Sequence, residues 1–242
     1  MRQILLILAV VALAGCGESK EEKAAKAAAE WKVIEAAAAA INAAKAAAKV
    51  NALEKAIRVD LKKPTGELTK ADYEKVTELD FLPNQLIDVK GMEKLTQLKE
   101  LWLSDNQLTS VKGLEKCTQL EELWLDRNQL TDVKGLEKLT QLKVLWLNNN
   151  QLTSVKGLEK LTKLRGLSLE HNQLTNVTGL KNLTQLKELY LLRNQLTDVK
   201  ELENLDQLRS LDLKGNPDLT KAQIDQLQKA LPKCEIESNP AK

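Results

Sequence analysis

Side chains able to do chemistry are few in this chain, and most of them recur at one position. Four of the seven aromatic residues, Trp102, Trp124, Trp146 and Tyr190, stand at multiples of 22 residues from one another. Glu100 and Glu122 lie two residues before the first two tryptophans, and Asp126, Arg127 and Arg193 lie a few residues beyond the aromatic positions. Rings beside mixed charge bind by packing and desolvation, and tryptophan, tyrosine and arginine dominate interface energetics. Covalent chemistry has little to work with. The one histidine, His171, has no catalytic partner that the repeat supplies. The three cysteines, Cys16, Cys117 and Cys234, are too scattered for a disulfide framework or a zinc cluster. With no nucleophile–base pair, metal cluster or phosphate loop, the sequence points away from an enzyme and implies no cofactor. A net charge of +2 with 29% charged residues lacks the basic footprint of a nucleic-acid binder.

These side chains are positioned by a repeat. Asn84, Asn106, Asn128, Asn150, Asn172, Asn194 and Asn216 form a 22-residue lattice without insertion or deletion. Each sits in the same frame, clearest in Leu98-x-x-Leu101-x-Leu103-x-x-Asn106-x-Leu108. A fixed period of this length means stacked supersecondary units, none able to bury its apolar face alone. Strands are expected near 76–81, 98–103, 120–125, 142–147, 164–169, 186–191 and 208–213. Their first, fourth and sixth residues point inward, and stacking gives a parallel sheet with strands about 4.8 Å apart. The lattice asparagine follows each strand, where its amide can satisfy backbone groups of its own and the adjacent turn. The return segment turns Leu108, Val111, Leu114 and Cys117 inward and bends at Gly113. Cys117 thus replaces a core leucine. Glu201 stands where the other repeats carry that glycine, which predicts a looser bend there.

Both ends carry capping signals. Leu68-Thr69-Lys70-Ala71-Asp72 and Leu219-Thr220-Lys221-Ala222-Gln223 are near copies, each with a threonine N-cap and a capping-box partner three residues on. Pro232 ends the second helix, and Cys234 and Ile236 alternate like inward residues of a short eighth strand.

The frame, over roughly residues 76–230, resembles the leucine-rich repeat proteins of the 22-residue class, as in internalin-like bacterial surface proteins. The resemblance implies an α/β solenoid: a horseshoe with a parallel concave sheet and helical caps, here preceded by an Ala-rich helix. It also implies recognition of proteins rather than catalysis.

The first 16 residues carry a second resemblance. Arg2 precedes an apolar run from Ile4 to Leu13, too short to span a bilayer comfortably. The run ends in Leu13-Ala14-Gly15-Cys16, which resembles the lipobox of bacterial lipoproteins. That implies a signal peptide over residues 1–15, cleavage before Cys16, and lipidation of its thiol. Each buried CH₂ of the acyl chains adds roughly 0.8 kcal/mol to membrane attachment. Gly17 in place of the family's retention aspartate implies the outer membrane or cell surface of a bacterial envelope rather than the inner membrane.

Residues 16–64 form the connection to the repeat domain at 65–242. Alanine, lysine and glutamate dominate from Glu18 to about Leu61, and Pro64-Thr65-Gly66 breaks the run. Two weak apolar stripes share helical spacing: Trp31, Ile34, Ala38, Ile41, and Val50, Leu53, Ile57, Leu61. A solvated spacer and a weak coiled coil both fit. Mostly alanine at the a and d positions favours the spacer and a monomeric repeat domain.

The residue between the last two inward strand positions reads Asp80, Trp102, Trp124, Trp146, Ser168, Tyr190, Asp212, and two residues earlier Glu78, Glu100, Glu122, Val144, Gly166, Glu188, Ser210. Three tryptophans on adjacent strands predict an exposed three-ring ladder, an apolar patch of the kind that marks a binding site. A protein or peptide ligand on the concave face fits the mixed charge around it. Stacked rings also suit a carbohydrate or peptidoglycan ligand. A third reading has the rings only stabilise the sheet, about 0.2–1 kcal/mol per cross-strand pair, in a spacer without a specific ligand.

Overall fold

The inward leucines build what their spacing requires. In the computed structural model, which describes residues 20–239, eight short strands form one parallel sheet in sequential order. They are β1 (Glu78–Asp80), β2 (Glu100–Trp102), β3 (Glu122–Trp124), β4 (Val144–Trp146), β5 (Gly166–Ser168), β6 (Glu188–Tyr190), β7 (Ser210–Asp212) and β8 (Glu235–Glu237). Equivalent repeat positions pair directly, as Leu101 with Leu123 and Trp102 with Trp124. Backbone bonding extends past the three regular residues: Leu103 N–H donates to Trp124 C=O, and Glu121 N–H to Lys99 C=O. Bonding between repeats therefore covers the last five residues of an expected strand such as 98–103, while the first, Leu98, donates its N–H to Leu95 C=O in its own turn.

Behind the sheet lies one continuous core, with most of its leucines fully buried and Cys117 buried beside them. Cys117 Sγ donates to Met92 C=O at 3.2 Å, and burial pushes its thiol up to about 12. Cys234 is likewise buried and free.

Asparagine holds the turns in register. Asn150 Oδ1 accepts from Leu130 N–H of the preceding repeat at 3.0 Å. Its Nδ2 donates back to Leu125 C=O at 2.9 Å and to Leu147 C=O of its own repeat at 3.1 Å. Asn128, Asn172, Asn194 and Asn216 repeat the pattern, so each leucine carbonyl between them receives two amides. Asn84 departs from it. In later repeats the residue before the asparagine adopts a left-handed backbone, as at Asp105 (φ 57°) and Arg127 (φ 50°). The corresponding residue here is Pro83, whose ring fixes φ near −65°. The left-handed turn moves one residue on, to Asn84 itself (φ 60°), and the side chain faces solvent. The lattice of seven asparagines in sequence is thus a ladder of six.

Glu201 does not loosen its bend. Residues Lys200–Asn204 form a five-residue 3-10 helix, longer than the Met92–Lys94 turn of the first repeat. Elsewhere a glutamate two residues on accepts from the bend glycine, as Glu137 Oε2 from Gly135 N–H at 2.8 Å. After Gly179 that position is Lys181, and Glu201 of the next repeat accepts from Gly179 N–H at 3.3 Å instead.

Two compact units divide the chain at residue 49. Helix α1 (Lys20–Asp60) begins in the first, where Trp31, Val33, Ile34 and Ile41 are exposed. No helix among the described residues is long and apolar enough to cross a membrane. The end of α1 belongs to the second unit and closes its core. Ile57 is fully buried, Leu53 nearly so, and Leu61 packs against the same cluster. Gly91 shows the substitution directly. A Cβ there would stand 2.9 Å from Leu53 Cδ2, whereas at Gly135 it would meet Val111 C=O of the preceding repeat at 2.9 Å. Leu53, Ile57 and Leu61 therefore stand in for a missing repeat, a role neither the spacer nor the coiled coil anticipated. Helix α2 (Lys70–Tyr73) follows, with Thr69 and Asp72 in the expected capping box. At the other end, α3 (Lys221–Ala230) is capped by Thr220 and Gln223, and β8 closes the sheet.

Candidate recognition surface

Strand alternation sends the residues between the inward leucines to the solvent face of the sheet. Trp102 and Trp124, paired in register on β2 and β3, stack with ring centroids 4.7 Å apart and planes 8° from parallel. That separation matches the strand spacing, so the backbone sets the stack. Trp146 is the most exposed of the three at 41% and stands outside the stacked pair, so the expected three-ring ladder is a two-ring stack with a neighbouring indole. The next residue across from Trp146 is Ser168, only 3% exposed, and beyond it Tyr190 is half-buried. No third ring continues the column on that side to hold Trp146 in a stack.

Glu100 and Glu122 are also paired in register, with Glu78 on the other side of Glu100. Burial and then the flanking carboxylates of Glu122 and Glu78 raise the Glu100 carboxyl above its ordinary value. Three like charges on adjacent strands repel one another, and a cation placed among them would relieve that repulsion.

Asp126, expected as a contact residue, is largely occupied within the fold. Its Oδ1 accepts from Asn148 N–H at 2.9 Å and its Oδ2 from Ser104 Oγ at 3.3 Å. Burial raises its pKa against those hydrogen bonds. The chain of contacts continues through Asn148 Oδ1, which accepts from Glu170 N–H at 2.9 Å and Ser168 Oγ at 2.5 Å. Glu170 is raised too, by burial and then by Asp212. Arg127 and Arg193 are exposed and occupy the left-handed turn position, at φ 50° and 53°. Arg127 pairs with Asp105 of the preceding repeat at 3.0 Å. His171 fills the same turn position (φ 52°) and is half-buried. Tyr190 Oη donates to Glu188 Oε2 at 3.4 Å. Cys16, the expected lipidation residue, lies outside the described residues.

Sequence reasoning missed a contribution from α1 and the first repeat. Val59 on α1 and Leu82 after β1 are both highly exposed and line one cavity with Trp102. The signal was available at Leu82: the next four repeats carry Ser104, Asp126, Asn148 and Glu170 at that position. Val59 gave none, since it lies off the apolar stripe that marks the helix's buried side. Among the described residues no cluster of histidine, cysteine, aspartate and glutamate is placed to hold a metal ion.

A family profile described as Leucine Rich repeats (2 copies) matches residues 96–138 and 140–183. A comparison with curated proteins finds no match. Solved structures similar to this chain include internalin InlF of Listeria monocytogenes, at 28% identity and a TM-score of 0.72 over 77% of this chain and 55% of that one. Internalin C2 of the same organism aligns at 26% identity and a TM-score of 0.61, covering 78% of this chain and 92% of its own. A leucine-rich-repeat protein of Leptospira interrogans aligns at 29% identity and a TM-score of 0.55, over 70% and 51% respectively. The fold is a leucine-rich-repeat solenoid with internalin-like structural neighbours, and this chain spans about half the length of InlF.

Proposed function

We propose that this chain is a lipid-anchored protein of a bacterial cell envelope that recognises a protein partner through the solvent face of its sheet. The observation that carries the recognition reading is the aromatic column. The Trp102–Trp124 stack, exposed Trp146 and half-buried Tyr190 crowd the chain's scarce aromatics onto a face the core does not need. Desolvating such rings is the usual source of binding free energy at protein interfaces. The glutamates beside them set a charge preference, and Arg127 and Arg193 add hydrogen-bond donors at the edge of the face.

A sugar ligand fits this face less well. Of the neutral and acidic groups beyond the rings, the Asp126 carboxylate, Asn148 Oδ1 and Ser168 hydroxyl are engaged with one another and with nearby N–H groups, which leaves mainly the charged Glu100 and Glu122 beside the indoles.

The anchor rests on Leu13-Ala14-Gly15-Cys16, and the first compact unit would join it to the repeats. Two measurements test the proposal. The Trp102→Ala/Trp124→Ala/Trp146→Ala variant should lose the partner that the unaltered chain captures from envelope extracts, while still melting cooperatively. Identical captures would leave the rings a structural role. Separately, Cys16→Ser should release the protein from membranes into the soluble fraction, and persistent membrane association would remove the lipid anchor.

A further inference from the structure

The strongest unassigned feature is a cavity of about 490 Å³ where the end of α1 meets β1 and β2. Ala56, Val59, Leu82 and Trp102 supply its apolar lining. Val59 is 71% exposed and Leu82 66%, the two highest values among the large hydrophobic side chains of the repeat unit. Neither is required by the core. The buried stripe of α1 runs through Leu53 and Ile57, and the Leu82 position is polar in each of the next four repeats.

Trp102 connects this cavity to the sheet face. One face of its indole is covered by Trp124 on β3. Its neighbour on the other side, in register on β1, is Asp80, which has no ring. With the two indoles nearly parallel, the uncovered face of Trp102 therefore looks toward β1 and the cavity. Asp60, Glu78 and Asp80 line the same space against a single cation, Lys55. None of the three carboxylates is held in an ion pair among the described residues. An uncovered indole face next to unpaired carboxylates attracts a lysine or arginine head group, both through the ring quadrupole and through charge.

We infer that this cavity is the anchoring subsite for the partner, and that it takes a peptide segment in which an aliphatic or aromatic side chain neighbours a lysine or arginine. The apolar side chain fills the space between Val59 and Leu82. The cation lies over Trp102 between Glu78 and Asp80. This deepens the reading of the sheet face as a protein-recognition surface and depends on it.

The test is selection of a phage-displayed random heptapeptide library on the immobilised full chain, followed by affinity measurement of the enriched peptides. Enriched sequences should pair an apolar residue with a neighbouring lysine or arginine. They should bind about tenfold or more weakly to Val59→Ser/Leu82→Ser. Both positions are solvent-exposed, so the fold should tolerate the change, and an unchanged melting curve checks this. Glu78→Gln/Asp80→Asn, which preserves shape, should weaken peptides carrying the cation and leave apolar-only peptides unaffected. Enrichment of acidic or purely apolar sequences overturns the inference. So does concentration-dependent self-association that the cavity variants abolish, which would make a second copy the occupant. Peptides insensitive to the cavity variants but lost with Tyr190→Ala would move the subsite along the sheet and leave face recognition standing. Failure to enrich any peptide would count against both readings.

Discussion

Two columns of side chains run along the same sheet with the same 22-residue period, and they follow opposite rules. From Asn106 to Asn216 the turn column is asparagine in six consecutive repeats, buried each time. The solvent column from Asp80 to Asp212 changes from aspartate to tryptophan to serine to tyrosine. The difference follows from what each side chain bonds. The asparagine amide completes backbone hydrogen bonds that the turn leaves open in two repeats at once, and no other side chain offers a donor and an acceptor at that reach. The tryptophans and tyrosine of the solvent column bond no backbone group of the fold: Trp102 stacks on Trp124, and Tyr190 donates to Glu188. Their identities are therefore available for recognition without loss of the fold.

The largest test of this contrast is Asn150→Ala. It orphans the buried Leu130 N–H and removes one of the two amides from each of the Leu125 and Leu147 carbonyls. An unsatisfied buried donor plus lost carbonyl bonds should lower unfolding free energy by about 2–4 kcal/mol in denaturant titration. Asn84→Ala, outside the ladder, should cost only about 1 kcal/mol, for placing alanine at a left-handed φ that asparagine tolerates. Similar losses for the two would mean that lattice position, rather than hydrogen bonding, decides the requirement.

A second pair of variants makes the same comparison in the backbone. Gly135 has φ +106°, and a Cβ would meet Val111 C=O at 2.9 Å, so Gly135→Ala should destabilise by about 1–3 kcal/mol. Gly166 lies on the sheet face, where an added Cβ would meet nothing within 4 Å and the backbone is not left-handed. Gly166→Ala should be neutral or stabilise by up to about 1 kcal/mol through the unfolded chain. Thermal melts of the two variants separate the predictions, and a stabilising Gly135→Ala would refute the packing argument.

The fold was legible in the sequence because its determinants are periodic. Inward leucines, bend glycines and both capping boxes could be read by position alone. What escaped depended on a single residue overriding the period. Pro83 cannot adopt the left-handed turn, so it removes Asn84 from the ladder. Lys181 lacks the carboxylate its bend needs, and Glu201 supplies one from the next repeat. The end of α1 escaped for a related reason: Val50, Leu53, Ile57 and Leu61 reveal an apolar stripe, but periodicity within a helix does not say what covers it. The candidate surface was half legible. The aromatic column stood out, whereas the burial of Asp126 and the joining of Val59 to Leu82 arise only when distant segments pack.

A third prediction concerns the stack. Trp124→Ala should lower stability by only about 0.5–1.5 kcal/mol, and a double-mutant cycle with Trp102→Ala should show coupling of the same size. A loss comparable to that of Asn150→Ala would place the indoles among the residues the fold requires and erase the distinction between the columns.

The smallest effects set a carboxylate held inside a helix cap against one on the sheet face, and the two differ in sign with pH. Hydrogen bonds from Lys63 and then Thr69 hold the Asp72 carboxyl well below its ordinary value of 3.8. A depressed folded-state pKa contributes stability that is present above 3.8 and lost as pH falls from there. Asp72→Asn should therefore melt lower than the parent at pH 7, with the gap closing below about pH 4. Glu100 has the opposite shift. Burial and the neighbouring glutamates raise its carboxyl above 4.5, so its protonated form favours the folded state. That contribution is complete below 4.5 and lost as pH rises through the raised value. Glu100→Gln should melt at or slightly above the parent at pH 7, and its advantage should vanish below about pH 4.5. Melting curves for both variants across pH 2.5–7 decide the matter. If Glu100→Gln instead melts lower at neutral pH, the carboxylate column is held by partners within the fold, and the like-charge repulsion that recommends it for a cationic ligand is absent.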